Sequence, residues 1–132
     1  MQFKQYPNVP MSYQFEQMED SLASDPIAQS SAHVMEDQIK MLYRYAKERS
    51  PLFLNQFNIL YPKFAKKLLK RAPNLILSEM ELCAYSKLRY GNQEIAMSTG
   101  VSVRAVESRK YRVRKKLNLH RDDNFMLWIM DL

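Results

Sequence analysis

Residues 93–117 read QEIAMSTGVSVRAVESRKYRVRKKL. Gln93 to Thr99 offers a short helix with Ile95 and Ala96 on its inner side. Gly100-Val101-Ser102 supplies a tight turn, and Ser102 is placed to cap the segment that follows. From Val103 to Leu117 an apolar stripe of Val103, Val106, Val113 and Leu117 recurs at helical spacings. The remaining sides carry seven cations, Arg104, Arg109, Lys110, Arg112, Arg114, Lys115 and Lys116, against one acid, Glu107. Such a helix buries one face in a core and turns positive charge toward a polyanion.

The flanking segments are also helical in pattern. Upstream, Pro73-Asn74 makes a turn, and Ser78 with Glu81 has the spacing of a capping box. The helix so opened is expected to run to about Tyr90, bury Leu82, Cys83, Tyr85 or Ser86, and Leu88, and stop at Gly91-Asn92. Downstream, Asn118 to Arg121 is a polar link, and Asp122-Asp123 are expected to open a last helix through Met130. Further upstream lie two short helices, roughly Leu52–Leu60 and Lys63–Arg71, burying Phe53, Phe57, Phe64, Leu68 and Leu69. Their cations Lys63, Lys66, Lys67, Lys70 and Arg71 are expected to stay wet.

From about Ala32 to Arg49, Met35, Ile39, Leu42 and Ala46 share a helix face, and Ser50-Pro51 ends the run. That helix either caps the domain or pairs with a copy of itself. Residues 1–32, with Pro7, Pro10 and Pro26, are read as a flexible arm holding a short helix around Tyr13–Leu22. No stretch alternates like a strand. The expected fold is all-α: an arm (1–32), a helical segment for dimerisation or docking (33–72), and a basic helical domain (73–132) preceded by these short amphipathic helices.

Composition narrows the function. Residues 1–50 carry 5 basic and 7 acidic side chains, whereas residues 51–132 carry 15 and 7, so the basicity sits in the C-terminal part. Two glycines leave no glycine-rich phosphate loop. One cysteine and two histidines give no disulfide and no zinc-ligand spacing, so neither metal nor cofactor is expected. The acids are scattered, and His33 and His120 lack a catalytic partner in the sequence, so no enzyme is expected. There is no apolar run long enough to span a membrane and no signal-peptide pattern in the first 20 residues. The expected setting is the reducing cytoplasm.

Two helices joined by a sharp turn, the second cationic, form the layout of a helix-turn-helix, in which the second helix lies in the major groove of DNA. At the level of residues, 77–132 resembles the LuxR or GerE-type helix-turn-helix domain of bacterial transcription factors. The family's opening Leu-Thr-x-x-Glu is matched by Leu77, Ser78 and Glu81, and its Glu-Ile-Ala by Glu94, Ile95 and Ala96. Its turn is matched by Val101, Ser102 and Val106, with Ala105 where threonine is common, and its closing Lys-Leu by Lys116 and Leu117. The ending Tyr111-Arg112-Val113-Arg114-Lys115-Lys116-Leu117 is similar to a variant branch in which the domain follows sensor or coiled-coil segments. With the region before it, the likeness covers about Leu52 to Leu132. It implies a four-helix domain and a transcriptional regulator that commonly dimerises through its C-terminal helix. Glu107 and Arg109 stand where the family often has lysine and histidine, so target preference does not carry over.

With Val106 at the centre of the buried stripe, Arg104, Ser108, Tyr111 and Lys115 fall opposite it, and Glu107 and Arg112 on the flanks. The expected base-contacting residues are Arg104, Glu107, Ser108 and Tyr111: arginine reads guanine, glutamate accepts from a cytosine amino group, and Ser108 and Tyr111 resemble family contact positions. The expected phosphate contacts are Arg109, Arg112, Lys115 and Lys116.

In the last helix, Phe125, Trp128, Ile129 and Leu132 are expected to pack inward, leaving Met126, Leu127 and Met130 needing cover. The partners so implied are double-stranded DNA, a second copy through this helix or residues 33–49, and RNA polymerase or another regulator. A competing reading is a protein-interaction module built like sigma-factor region four, using exposed Tyr and Met side chains around 41–61.

Overall fold

The computed structural model describes residues 26–132. They form seven helices and no strand: α1 (Pro26–Lys47), α2 (Phe53–Leu60), α3 (Phe64–Arg71), α4 (Leu77–Lys87), α5 (Asn92–Thr99), α6 (Val103–Lys116) and α7 (Phe125–Met130). The fold is all-α among these residues. No helix among them is long and apolar enough to cross a membrane. The short helix expected around Tyr13–Leu22 lies outside the described residues.

Helix α4 is the centre of the packing. Leu82, Cys83, Ala84, Tyr85 and Ser86 are buried in succession, which needs neighbours on several sides, and α2, α6 and α7 supply them. Ser86 satisfies its hydroxyl by donating to the Leu82 carbonyl at 2.8 Å. Helix α1 lies on α2 and α5, burying Ile39, Leu42, Tyr43 and Ala46, so it caps the domain within the chain. Gln56, buried on α2, donates to the Gln38 carbonyl at 2.9 Å and ties the two helices together. Aromatic rings fill the space between α1, α2 and α4: Phe53 stacks on Tyr85 at 4.0 Å, and Tyr85 meets Tyr90 at 5.2 Å.

Four helices end in the same way, α5 at Gly100, with the Val101 N–H reaching the Ala96 carbonyl, and three at residues other than glycine. After α1, α4 and α6 the chain takes a left-handed residue, Arg49, Arg89 and Asn118 respectively, each followed by a backbone bond reaching five residues back. These are Schellman ends, Ser50 to Tyr45, Tyr90 to Tyr85 and Leu119 to Arg114. Helix α4 therefore stops at Arg89, and Gly91, expected to stop it, instead opens α5 at an ordinary φ of −80°.

Several boundaries and burials differ from the sequence expectation for identifiable reasons. Helix α1 starts at Pro26, ahead of Ala32, where proline's missing N–H costs nothing. Helix α4 is opened by Ile76, not Ser78; its free N–H is taken by Glu79 Oε1 reaching back at 3.1 Å. Helix α7 is capped by Asn124, whose Oδ1 accepts from the Leu127 N–H, while Asp123 closes the preceding turn by accepting from His120. Met35, Leu69 and Val103, expected inside, are exposed. Tyr43 is buried and Met41, Tyr45 and Tyr61 are partly covered, so the exposed Tyr and Met surface expected around 41–61 is not formed; Leu52 and Ile59 are exposed there instead.

Candidate nucleic-acid interface

Helices α5 and α6 pack directly on each other across the turn at Gly100–Ser102. Gly100 takes a φ of 74°, the left-handed conformation that ends α5, and its N–H donates to the Ala96 carbonyl at 2.9 Å. Ser102 then caps α6, its Oγ accepting from the Ala105 N–H at 3.0 Å. Val106 and Val113 are wholly buried on α6, with Leu117 just past its end. Each such side chain contributes roughly 1.5–3 kcal/mol by leaving water, which fixes the rotation of α6 about its own axis.

Opposite that stripe, Arg104, Glu107, Ser108, Tyr111, Arg112 and Lys115 are all exposed. They follow one another at helical spacing and form a single outward face of α6 that contains all four side chains expected at base edges. Tyr111 is 61% exposed, with the Lys115 ammonium 5.2 Å from its ring centroid.

The other cations of α6 are engaged by the fold. Lys116 donates to Glu79 Oε1 at 2.7 Å and to the Asn74 carbonyl at 3.1 Å. Its expected place on a phosphate is therefore taken by an internal carboxylate. Arg109 is partly buried and faces Glu81 of α4, whose carboxyl is raised by burial, with the Arg109 charge opposing the rise. Lys110 donates to Asn92 Oδ1 at 2.7 Å and binds α6 to the start of α5. Arg114 reaches the His120 and Arg121 carbonyls at 2.8 and 3.3 Å and holds the link to α7. Arg112 has a mixed position: Nε lies 3.5 Å from Glu79 Oε2, yet the side chain stays 48% exposed. Of the four cations expected on phosphates, Arg112 and Lys115 lie on the open face, and Arg109 and Lys116 are turned toward α4.

Glu79 is the group that sequence reasoning missed. Its carboxyl is fully buried, and burial would push its pKa up; the Lys116 ammonium, the Ile76 N–H and the Arg112 guanidinium outweigh that and hold it below the usual value. Its bond to the Ile76 N–H is local, but its charged partners lie 33 and 37 residues away, so nothing in the local pattern marks the ion pair.

Cys83 is buried beside Glu79, and burial together with that negative charge pushes its thiol up to about 12, so no thiolate nucleophile exists at neutral pH. Among the described residues no group of three or more His, Cys, Asp or Glu is placed to hold a metal ion. A shallow cleft between α6 and the link to α7 is lined by Tyr111, Arg114, Lys115, Leu119, Arg121 and Asp123. Comparison with family models, with curated proteins and with solved structures gives no match for this chain.

Proposed function

We propose that this protein binds double-stranded DNA as a cytoplasmic transcriptional regulator, with α6 inserted in the major groove. The observation that carries the reading is the composition of the outward face of α6. Six side chains at helical spacing include three cations, Arg104, Arg112 and Lys115, and three groups able to hydrogen-bond base edges, Glu107, Ser108 and Tyr111. The short turn and the α5 platform behind it suit the docking in which the first helix crosses the phosphate backbone. In this reading α4–α7 are a domain of the LuxR or GerE kind. Arg104, Glu107, Ser108 and Tyr111 address bases, and Arg112 and Lys115 clamp phosphates. The protein acts without cofactor or catalysis.

Exposed Leu127 on α7 supports a homodimer through that helix, which would present two copies of α6 to two half-sites. Exposed Leu52 and Ile59 favour a second reading, a module that docks on RNA polymerase or another regulator. The two readings separate in one titration. Fluorescence anisotropy of the full chain on random-sequence duplex DNA is measured over a salt series, with Arg112→Ala/Lys115→Ala beside it. Groove binding predicts affinity that falls steeply with salt, about 0.9 in log–log slope for each phosphate neutralised, and a shallower slope in the double variant. Absence of binding by the folded protein at low salt would remove the DNA reading and leave the docking module.

A further inference from the structure

Helix α1 closes with an arginine where the backbone favours glycine. Arg49 has a φ of 56°, a conformation that L side chains other than asparagine seldom take. Its side chain reaches the turn that leads into α6. Nε donates to the Met97 carbonyl, in the last turn of α5, at 2.8 Å. The guanidinium then lies over Gly100, with Nη1 only 3.3 Å from the place a Cβ would occupy there. Gly100 is thus favoured by its own φ, and a side chain there would also press on the arginine above it.

One of the five N–H groups of the guanidinium is spent on Met97. The four on Nη1 and Nη2 have no acceptor among the described residues, and the residue is exposed. A planar cationic fork is therefore held over the turn that leads into α6, against Met97 and Gly100, with its hydrogen-bonding edge unused. Because the bond to Met97 and the seat on Gly100 already hold the side chain, little rotamer freedom remains to be lost on binding an anion. The end of a recognition helix that points into a groove has backbone phosphates on both sides of it.

We infer that Arg49 grips a DNA backbone phosphate flanking the groove entered by α6, so that the end of α1 belongs to the DNA-contacting surface. The inference rests on the DNA reading above. It makes α1 more than a cap on the core: a residue far upstream of α5 takes part in the same contact, in addition to the packing of α1 on α5.

The test is the salt dependence of binding by the full chain to random-sequence duplex, wild type against Arg49→Gln and Arg49→Gly. Glutamine keeps a donor for Met97 and removes the charge; glycine removes the side chain and relieves the left-handed backbone, so at least one variant keeps the fold. Arg112→Ala serves as a control that the assay reads the α6 face. The expected result is a log–log salt slope smaller by about one in both variants, with several-fold weaker binding at low salt and little change in melting temperature. Slopes equal to wild type in the variants, while Arg112→Ala lowers its own, would overturn the Arg49 contact and leave the DNA reading standing. Wild-type protein that binds no DNA would overturn both.

Discussion

The Lys116 ammonium lies 2.7 Å from Oε1 of Glu79, a carboxylate with 1% of its side chain exposed. This pair joins the last turn of α6 to the first turn of α4, and Arg112 approaches the other carboxylate oxygen at 3.5 Å. Lys116 is thereby held on the inner side of α6, while Arg112, 48% exposed, stays on its outward face. The arrangement fixes which cations of α6 face outward as much as the buried valines do.

Replacing Lys116 and Lys115 in turn should separate structure from binding. Lys116→Met leaves Glu79 buried with only the distant Arg112 and one backbone N–H. The cost is expected at about 2–3 kcal/mol, below the roughly 3–5 of a fully enclosed pair because Lys116 is 24% exposed. Lys115→Met, on the open face, should stay within about 0.5 kcal/mol of wild type and weaken DNA binding. Urea denaturation of both variants gives the comparison; equal stabilities would remove the structural role assigned to the Glu79–Lys116 pair.

Acid should act through the same carboxylate. The Glu79 pKa is lowered in the fold from the ordinary 4.5, so its contribution is fully present above that value and disappears as pH falls through the lower folded value. Melting temperatures from about pH 6 to about pH 3 should therefore fall more steeply for wild type than for Glu79→Gln, which has no carboxylate to protonate. Parallel profiles would mean that other acids carry the transition. Glu81 works in the opposite sense, since burial raises its pKa, and Glu81→Gln should not flatten the acid limb.

These relationships explain which parts of the molecule could be read from the chain. The α6 stripe was legible because Val106, Val113 and Leu117 repeat with the helix itself, and everything opposite them had to face out. Helix α4 was less so: five successive buried residues erase the amphipathic period, and its cap is a backbone N–H served by a side chain three residues on, at a position where a serine two residues later looked suitable. The partition of the cations was not legible at all. Arg109, Lys110, Arg114 and Lys116 are chemically like Arg112 and Lys115 in sequence, and only the tertiary fold brings Glu81, Asn92, the 120–121 carbonyls and Glu79 to the first four.

Two positions of positive φ should respond in opposite directions to similar changes. Arg89 ends α4 at a φ of 67° and is exposed. Arg89→Gly removes the steric cost of that conformation and should stabilise by about 0.5–1 kcal/mol. Gly100→Ala imposes the same cost at a φ of 74° and sets a methyl 3.3 Å from the Arg49 guanidinium, so a loss of about 1–2 kcal/mol is expected. Thermal melts of the two variants should move up and down respectively. A stabilised Gly100→Ala would mean that the turn between α5 and α6 readily gives up both its backbone conformation and its seat for Arg49.

Helix α7 offers the last test, of assembly. Phe125 and Ile129 are buried, Trp128 is covered in part by Arg71, and Lys87 and Lys67 hold the carbonyls of Met130 and Leu132 at 2.8 and 3.1 Å. The helix is therefore fastened to its own chain, yet Leu127 stands 61% exposed on its outer side. One exposed leucine on a monomer is ordinary; in a two-fold dimer the same patch meets itself. If α7 is the dimer seam, the protein should sediment as a dimer and Leu127→Asp as a monomer, with monomer stability changed by no more than about 0.5 kcal/mol because the site is already wet. DNA affinity should fall with the dimer, since one copy of α6 engages one half-site only. A wild-type chain that sediments as a monomer both alone and on DNA would remove the dimer and require a single α6 to supply all the affinity.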